Sequence, residues 1–203
     1  MIKAIVIRHG ETNWNDKGKV IGQSNPPLNH TGIKQAKIIA KYLTNIPITL
    51  IWTSDLIRAI KTAEFVAQAK RGILIKKTNS LREADFGTLE GKYINDLKMS
   101  GEWLERSKNQ YSYIPPGGES YFSVEKRILS FLENLYKNYS ITEKHLIVTH
   151  VGVLRVLQHI LNNLLPKDAG NLKPDFLDLW EICYGDKYKS MKLLCNVSSS
   201  NRY

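Results

Sequence analysis

Cysteine is scarce in this 203-residue chain. Cys183 and Cys195 are the only two, they form no CxxC pair, and they offer neither a disulfide framework nor a thiolate metal site. Two reduced, structural thiols are the expectation. Long apolar runs are also missing: Ala4–Ile7 is typical of the longest, far below the roughly 20 residues that a membrane-spanning helix needs. Arg8 and Glu11 interrupt the N-terminus where a secretory leader would carry its apolar stretch. These absences predict no membrane partner and a cytoplasmic location. There is no HExxH, no Asp-rich cluster and no Walker A run, so the five histidines lack metal-ligand spacing and neither metal nor cofactor is expected. Internal repeats and domain-splitting linkers are absent as well, which points to a single domain over residues 1–203.

What is present describes an ordinary packed protein. Hydrophobic residues make up 42% and charged residues 24%, close to globular averages and far from those of a disordered or fibrous chain. Lys and Arg outnumber Asp and Glu by 29 to 19, for a net charge of +10. That excess suits nucleic acid, anionic lipid or a phosphorylated substrate alike. Its distribution narrows the choice, because the lysines are scattered (Lys34, Lys37, Lys41, Lys92, Lys98, Lys108) rather than blocked into a basic tail. A nucleic-acid partner is therefore not expected.

The pattern along the chain alternates strands with helices. Ala4–Ile7 is an apolar run that ends in Arg8-His9-Gly10-Glu11, and a polar loop rich in Gly, Asn and Pro follows from Asp16 to Asn29. Thr31 is a plausible N-cap for a helix with apolar residues at Ile33, Ala36, Ala40 and Leu43. A strand at Leu50–Trp52 leads through the capping run Thr53-Ser54-Asp55 to a helix carrying Ala59, Ala63 and Val66, with Arg58 in its first turn. Gly72–Lys76 is a third strand, followed by Glu83. Residues 84–118 have poor periodicity and several glycines, which suggests a lid-type insertion with short helices. Ser120 caps an amphipathic helix, His145–Thr149 is a buried strand ending at His150, and an apolar helix from Val153 to Leu165 stops at Pro166. His30, His145 and His159 read as a loop or cap residue, a strand-start residue and a helix residue. Two strands around Tyr184-Gly185-Asp186 complete the pattern, and a polar tail runs from Asn196 to Tyr203. The fold class is α/β: a three-layer sandwich with a mostly parallel central sheet and a closing antiparallel hairpin.

In such a sheet the carboxyl ends of the strands gather on one side. Arg8-His9, Arg58, Glu83 and His150 all lie at those ends. Taken singly, each has an ordinary explanation: a surface Arg beside a capping His, or a helical Arg reaching to solvent. Taken together, two guanidinium groups and two imidazoles can neutralise a transferring phosphoryl group, and a neutral imidazole can attack phosphorus in line. Glu83 can protonate the leaving oxygen, with Glu11 a competitor for that role.

These residues sit in segments that resemble the histidine phosphatase superfamily, whose fold is phosphoglycerate mutase-like. Arg8-His9-Gly10-Glu11-Thr12 with Trp14-Asn15, Gly22, Pro27-Leu28, Gly32 and Gln35-Ala36 is similar to its opening signature. Ser54-Asp55-Leu56 with Arg58-Ala59 and Thr62-Ala63 resembles the second arginine segment, Leu81-Arg82-Glu83 with Phe86-Gly87 and Glu90-Gly91 the acid segment, and Thr149-His150 with Gly152-Val153-Leu154-Arg155 the second histidine segment. Pro116-Gly117-Gly118-Glu119-Ser120 fits as well. The resemblance covers Arg8 to Arg155 and implies His9 as phosphorylated nucleophile, Glu83 as proton donor, Arg8, Arg58 and His150 as phosphate ligands, and Asn15 and Gly22 as further substrate contacts. Val151 departs from the small or amide residue frequent in relatives.

Glu83-Ala84-Asp85-Phe86-Gly87 resembles the phosphatase branch rather than the mutases, which carry Arg-His-Tyr after that glutamate. The expectation is a metal-independent phosphomonoesterase for a small phosphorylated metabolite, similar to α-ribazole-phosphate, broad-specificity or fructose-bisphosphate phosphatases. Mutase-type transfer and phosphoprotein hydrolysis are the alternatives. Neither the substrate nor the oligomeric state is written in the motifs.

Overall fold

The computed structural model describes residues 1–198, so most of the polar tail lies outside the described residues. The strands are β1 (Ile2–Arg8), β2 (Leu50–Ser54), β3 (Ile75–Thr78), β4 (Lys144–Thr149), β5 (Asp178–Tyr184) and β6 (Lys189–Asn196). They form one sheet in the order β3-β2-β4-β1-β5-β6. β1, β2, β3 and β4 run parallel, while β5 and β6 are antiparallel additions at one side. Helices α1 (Asn13–Asp16), α2 (His30–Leu43), α3 (Ile57–Ala69), α4 (Ile94–Met99), α5 (Glu102–Lys108), α6 (Tyr121–Asn138), α7 (Val151–Asn162) and α8 (Pro166–Asn171) fill the connections.

The three layers follow from alternation along the central strands, where successive side chains point to opposite faces. Ala4 and Val6 of β1 enter a core shared with Val124, Ile128 and Leu132 of α6 and Val153 and Leu157 of α7. Ile7 enters the opposite core, with Ile39 and Leu43 of α2 and Ala63 and Val66 of α3. β4 divides in the same way: Ile147 faces the first core, Leu146 and Val148 the second. Both faces of these strands are covered, which is why they read as continuous apolar runs instead of alternating ones. A fully buried Leu such as Leu132 contributes about 2 kcal/mol by leaving water.

Several local boundaries differ from the sequence reading. Asn29, not Thr31, caps α2, its side chain accepting from the Gly32 N–H at 2.8 Å. The start of α3 receives no cap from Asp55. Instead Asn25 Oδ1, from the preceding loop, accepts the Ile57 N–H at 2.7 Å. β3 begins at Ile75, three residues later than Gly72, because it takes its register from Ile51–Ser54 of β2. α7 stops at Asn163, which turns left-handed at φ 53°, so Pro166 opens α8 at its first position rather than ending α7. Ser120 does cap α6, accepting from Ser123 N–H.

Candidate active site

β1 and β4 are hydrogen-bonded neighbours, so Arg8-His9 and Thr149-His150 leave the sheet side by side. The ladder extends one step past the strands, with His9 N–H donating to the Thr149 carbonyl at 2.9 Å. The His9 and His150 rings lie 4.9 Å apart between centroids. Gly10 turns the chain away, held by its N–H on Thr62 Oγ1 at 3.1 Å, and Thr62 Oγ1 in turn donates to the Arg58 carbonyl. One turn of α3 thereby fixes both the glycine turn and Arg58.

His9 is 3% exposed, and its Nδ1 lies 2.7 Å from the Gly10 carbonyl. A carbonyl only accepts, so Nδ1 carries the proton and Nε2 carries the lone pair. The Arg58 Nε–H donates to that Nε2 at 3.3 Å. Arg58 is fully buried without a carboxylate partner, its Nη1 and Nη2 donating to the carbonyls of Ser24 and Gly22 at 2.7 Å each. Arg8 lies under Phe176, 3.8 Å from the ring centroid, and donates to the Pro174 carbonyl. Burial lowers both guanidinium groups to about 10, which leaves them charged at neutral pH. The histidines respond in kind. Burial first, then the charges of Arg58 and Arg8, push His9 well below the usual histidine range; burial first, with Arg58, Arg127 and Arg8, does so for His150, whose ring nitrogens have no hydrogen-bond partner among the described residues. Both rings are neutral at pH 7.

Glu83 reaches the same place from another segment. Thr149 Oγ1 ties Leu81 to the end of β4 at 2.9 Å, which brings Glu83 beside the start of α7. Its Oε2 accepts from the Gly152 N–H at 3.1 Å and its Oε1 from the Ala84 N–H at 2.9 Å. A side chain on Gly152 would overlap Oε1, so the glycine is required by this close approach. Glu11 is occupied elsewhere, its carboxylate taking the Asn29 amide at 2.8 Å.

Six of the seven residues expected at the site, Arg8, His9, Asn15, Gly22, Arg58 and Glu83, line one cavity of about 600 Å³, and His150 lies behind this lining with its ring against His9. Asn15 also closes a capping box with Thr12, which uses its Oδ1. Gly22 has φ 58°, and an added side chain there would overlap Glu90. Val151 lines the cavity wall, and residues 84–118 contribute Phe86, Ile94, Lys98, Trp103 and Arg106.

Sequence reasoning missed Arg127 and, although it quoted Asp55, Arg82, Glu90 and Glu119 within the motif segments, gave them no role in holding these groups in place. Arg127 donates to the carbonyls of Ser80 and Glu83 and pairs with Glu119 at 2.8 Å. Arg82 forms a two-point clamp on Asp55, at 2.6 and 2.7 Å, joining the acid segment to the α3 segment. Glu90 accepts from the backbone of Gln23 and Ser24, whose carbonyl neighbours hold Arg58. No spacing rule in the sequence connects these positions. Among the described residues no group of three or more His, Cys, Asp or Glu side chains is placed to hold a metal, and no helix is long and apolar enough to cross a membrane.

The chain is similar to known proteins over most of its length. The chain is 34% identical over 164 residues to a metal-independent phosphoserine phosphatase of Arabidopsis thaliana, covering 75% of this chain and 66% of that one. It is 39% identical over 131 residues to a probable phosphoglycerate mutase GpmB of Salmonella choleraesuis, covering 63% and 60%. The chain thus spans about two thirds or less of the length of these relatives. Among solved structures, the α-ribazole phosphatase of Shigella flexneri superposes with a TM-score of 0.81 at 28% identity, covering 95% and 96% of the two chains. YhfR of Bacillus stearothermophilus gives 0.86 at 25%, covering 97% and 100%. With the family model matching residues 4–197, nearly the whole described chain, the protein belongs to the histidine phosphatase superfamily, branch 1.

Proposed function

We propose that this protein is a phosphomonoesterase acting on a small phosphorylated metabolite, with His9 as nucleophile. One observation carries the reading: the Nδ1–Gly10 contact makes Nε2, which accepts from Arg58 Nε–H, the unprotonated nitrogen of a neutral imidazole lining a cavity that also holds cations and a carboxyl group. His9 Nε2 attacks phosphorus, the bond to the ester oxygen breaks, and Glu83, entering as the acid, gives its proton to the departing alkoxide. Arg8, Arg58 and His150 surround the equatorial oxygens, where the transition state concentrates charge. Water then attacks the phosphohistidine, Glu83 takes the water's proton, the N–P bond breaks and inorganic phosphate leaves. One carboxyl serves both half-reactions.

Asn15 and Gly22 edge the substrate space, and residues 84–118 act as a lid over a single domain. Hydrolysis instead of mutase-type transfer follows where water reaches the phosphohistidine. The Glu83-Ala84-Asp85 sequence favours that outcome, and a mutase-named relative keeps the competing one in the test. Phosphate release is measured across sugar phosphates, nucleotides, α-ribazole phosphate, phosphoserine and phosphopeptides. His9→Ala is expected to lose at least roughly a thousandfold in turnover and to abolish an acid-labile phosphoenzyme. Interconversion of 3-phosphoglycerate with a bisphosphoglycerate primer, faster than phosphate release, would overturn the phosphatase reading. Full activity in His9→Ala would overturn the mechanism.

A further inference from the structure

Behind the cavity wall, next to Glu83, lies a buried hydroxyl that is only half used. Tyr121 opens α6 directly after its cap, Ser120, and is 3% exposed. Its Oη accepts from Arg106 Nη2 of α5 at 3.4 Å, while its own proton meets no acceptor among the described residues. A hydroxyl proton rotates to suit its surroundings. The acceptor in reach is Glu83: a side-chain carbon added at Gly152 would overlap Glu83 Oε1 and sit 3.2 Å from Tyr121 Oη, so the two oxygens flank one small space. Glu83 has room for the bond. Among the described residues Oε1 takes only the Ala84 N–H and Oε2 only the Gly152 N–H, and each carboxylate oxygen has about two acceptor sites.

Resting on the phosphatase reading, we infer that Tyr121 is a positioning residue for Glu83, its hydroxyl donating to Oε1 directly or across one water. The bond fixes the plane of the carboxyl and stabilises the carboxylate that remains once Glu83 has protonated the leaving oxygen. Tyr121 keeps its own proton in both half-reactions. It does not line the cavity, so it acts through Glu83 and not on the substrate. Arg106 completes the chain. It forms no ion pair among the described residues and lies over Trp103 at 4.6 Å and Phe86 at 5.1 Å, ring faces that offset part of the cost of a buried cation but leave its in-plane donors free. A hydroxyl that accepts from a cation donates more strongly, so the arginine is matched to the carboxylate at one remove.

Tyr121→Phe removes the hydroxyl and keeps the ring, with its edge contact to Tyr111 at 5.6 Å between centroids. The experiment measures kcat/KM across pH for glycerol 3-phosphate, whose leaving oxygen needs a proton, and for p-nitrophenyl phosphate, whose leaving group does not. In the variant the alkyl ester should lose roughly tenfold, and the alkaline limb of its profile should move up by roughly one pH unit because the carboxylate has lost a donor. The p-nitrophenyl ester should change by less than about twofold. Substrate ionisation is common to both proteins. Around Tyr121 and Glu83 stand Arg8, Arg58, Arg106, Tyr111, Arg127 and His150, all unchanged by the substitution, so a moved limb reports the hydroxyl. Arg106→Met should move the limb the same way and add little in the Tyr121→Phe background; a full additional effect there would overturn the relay. An unmoved limb, whether with wild-type rates or with equal losses on both esters, would overturn the role of Tyr121 and leave the phosphatase reading intact. Absence of phosphate release from both esters by the wild type would overturn both.

Discussion

Two buried, neutral histidines make stability depend on pH in a window where few other groups titrate. In the unfolded chain His9 and His150 take up protons near pH 6.5, whereas in the folded chain burial and the flanking guanidinium groups hold both well below that value. The unfolded state therefore binds more protons below pH 6.5. Stability is fully present above it and falls as the pH drops toward the depressed folded values. Each histidine costs on the order of 1 kcal/mol between pH 7.5 and 5.5, so the pair costs roughly 2–3 kcal/mol. Against a typical total of roughly 5–15 kcal/mol this is large, and it corresponds to a melting temperature lower by about 5–10 °C for a chain of this size. The measurement is denaturant unfolding at pH 7.5, 6.5 and 5.5 in a buffer free of phosphate, beside a His9→Gln/His150→Gln double variant. Asp55, held low by Arg82, titrates below this window, and His145, at the other end of β4 and also lowered by burial, is common to both proteins. The wild type should lose roughly 2–3 kcal/mol more than the variant. Equal pH dependence in the two would refute the reasoning.

In the proposed mechanism Glu83→Gln removes the proton donor and the later base. Turnover of alkyl phosphates should fall by roughly a hundredfold or more, while p-nitrophenyl phosphate, whose leaving group needs no proton, should give a burst and a trapped phosphoenzyme in a rapid-quench experiment. Gly152→Ala should displace the Glu83 carboxylate and lower kcat at least roughly tenfold, with a melting curve showing a folded protein; wild-type kcat would show that the carboxylate position is irrelevant. Because two guanidinium groups and two imidazoles gather at the proposed phosphoryl site, EDTA should leave phosphate release unchanged, and loss of activity restored by a divalent cation would refute this.

Much of the site was legible because its members stand at strand ends, where local pattern and parallel topology agree. Arg8, His9 and His150 follow apolar strands that stop abruptly, and Arg58 opens a helix behind another. The segment of Glu83 was legible as well, but not the reason it arrives there, since the Thr149 hydroxyl on the Leu81 carbonyl links positions 68 apart. Helix starts were misread for a related reason. Thr31 and Asp55 are good caps by type, but Asn29 and the distant Asn25 lie closer to the free N–H groups. Local propensity ranks candidates; tertiary placement selects among them. Arg106 escaped notice because an arginine on a short polar helix reads as surface, and only the packing of Phe86, Trp103 and Tyr121 buries it.

The sheet order carries a consequence for synthesis. β1 pairs with β4 on one side and β5 on the other, so residues 2–8 have no strand partner until the ribosome has reached residue 144. For most of translation this apolar segment lacks both of its strand partners, a template for unwanted association. The same delay keeps Arg8 and His9 away from His150, and a nascent or truncated chain holds no phosphate pocket. The proposed hydrolytic activity would then arrive only with the last third of the polypeptide, and its onset would report that the central sheet has closed.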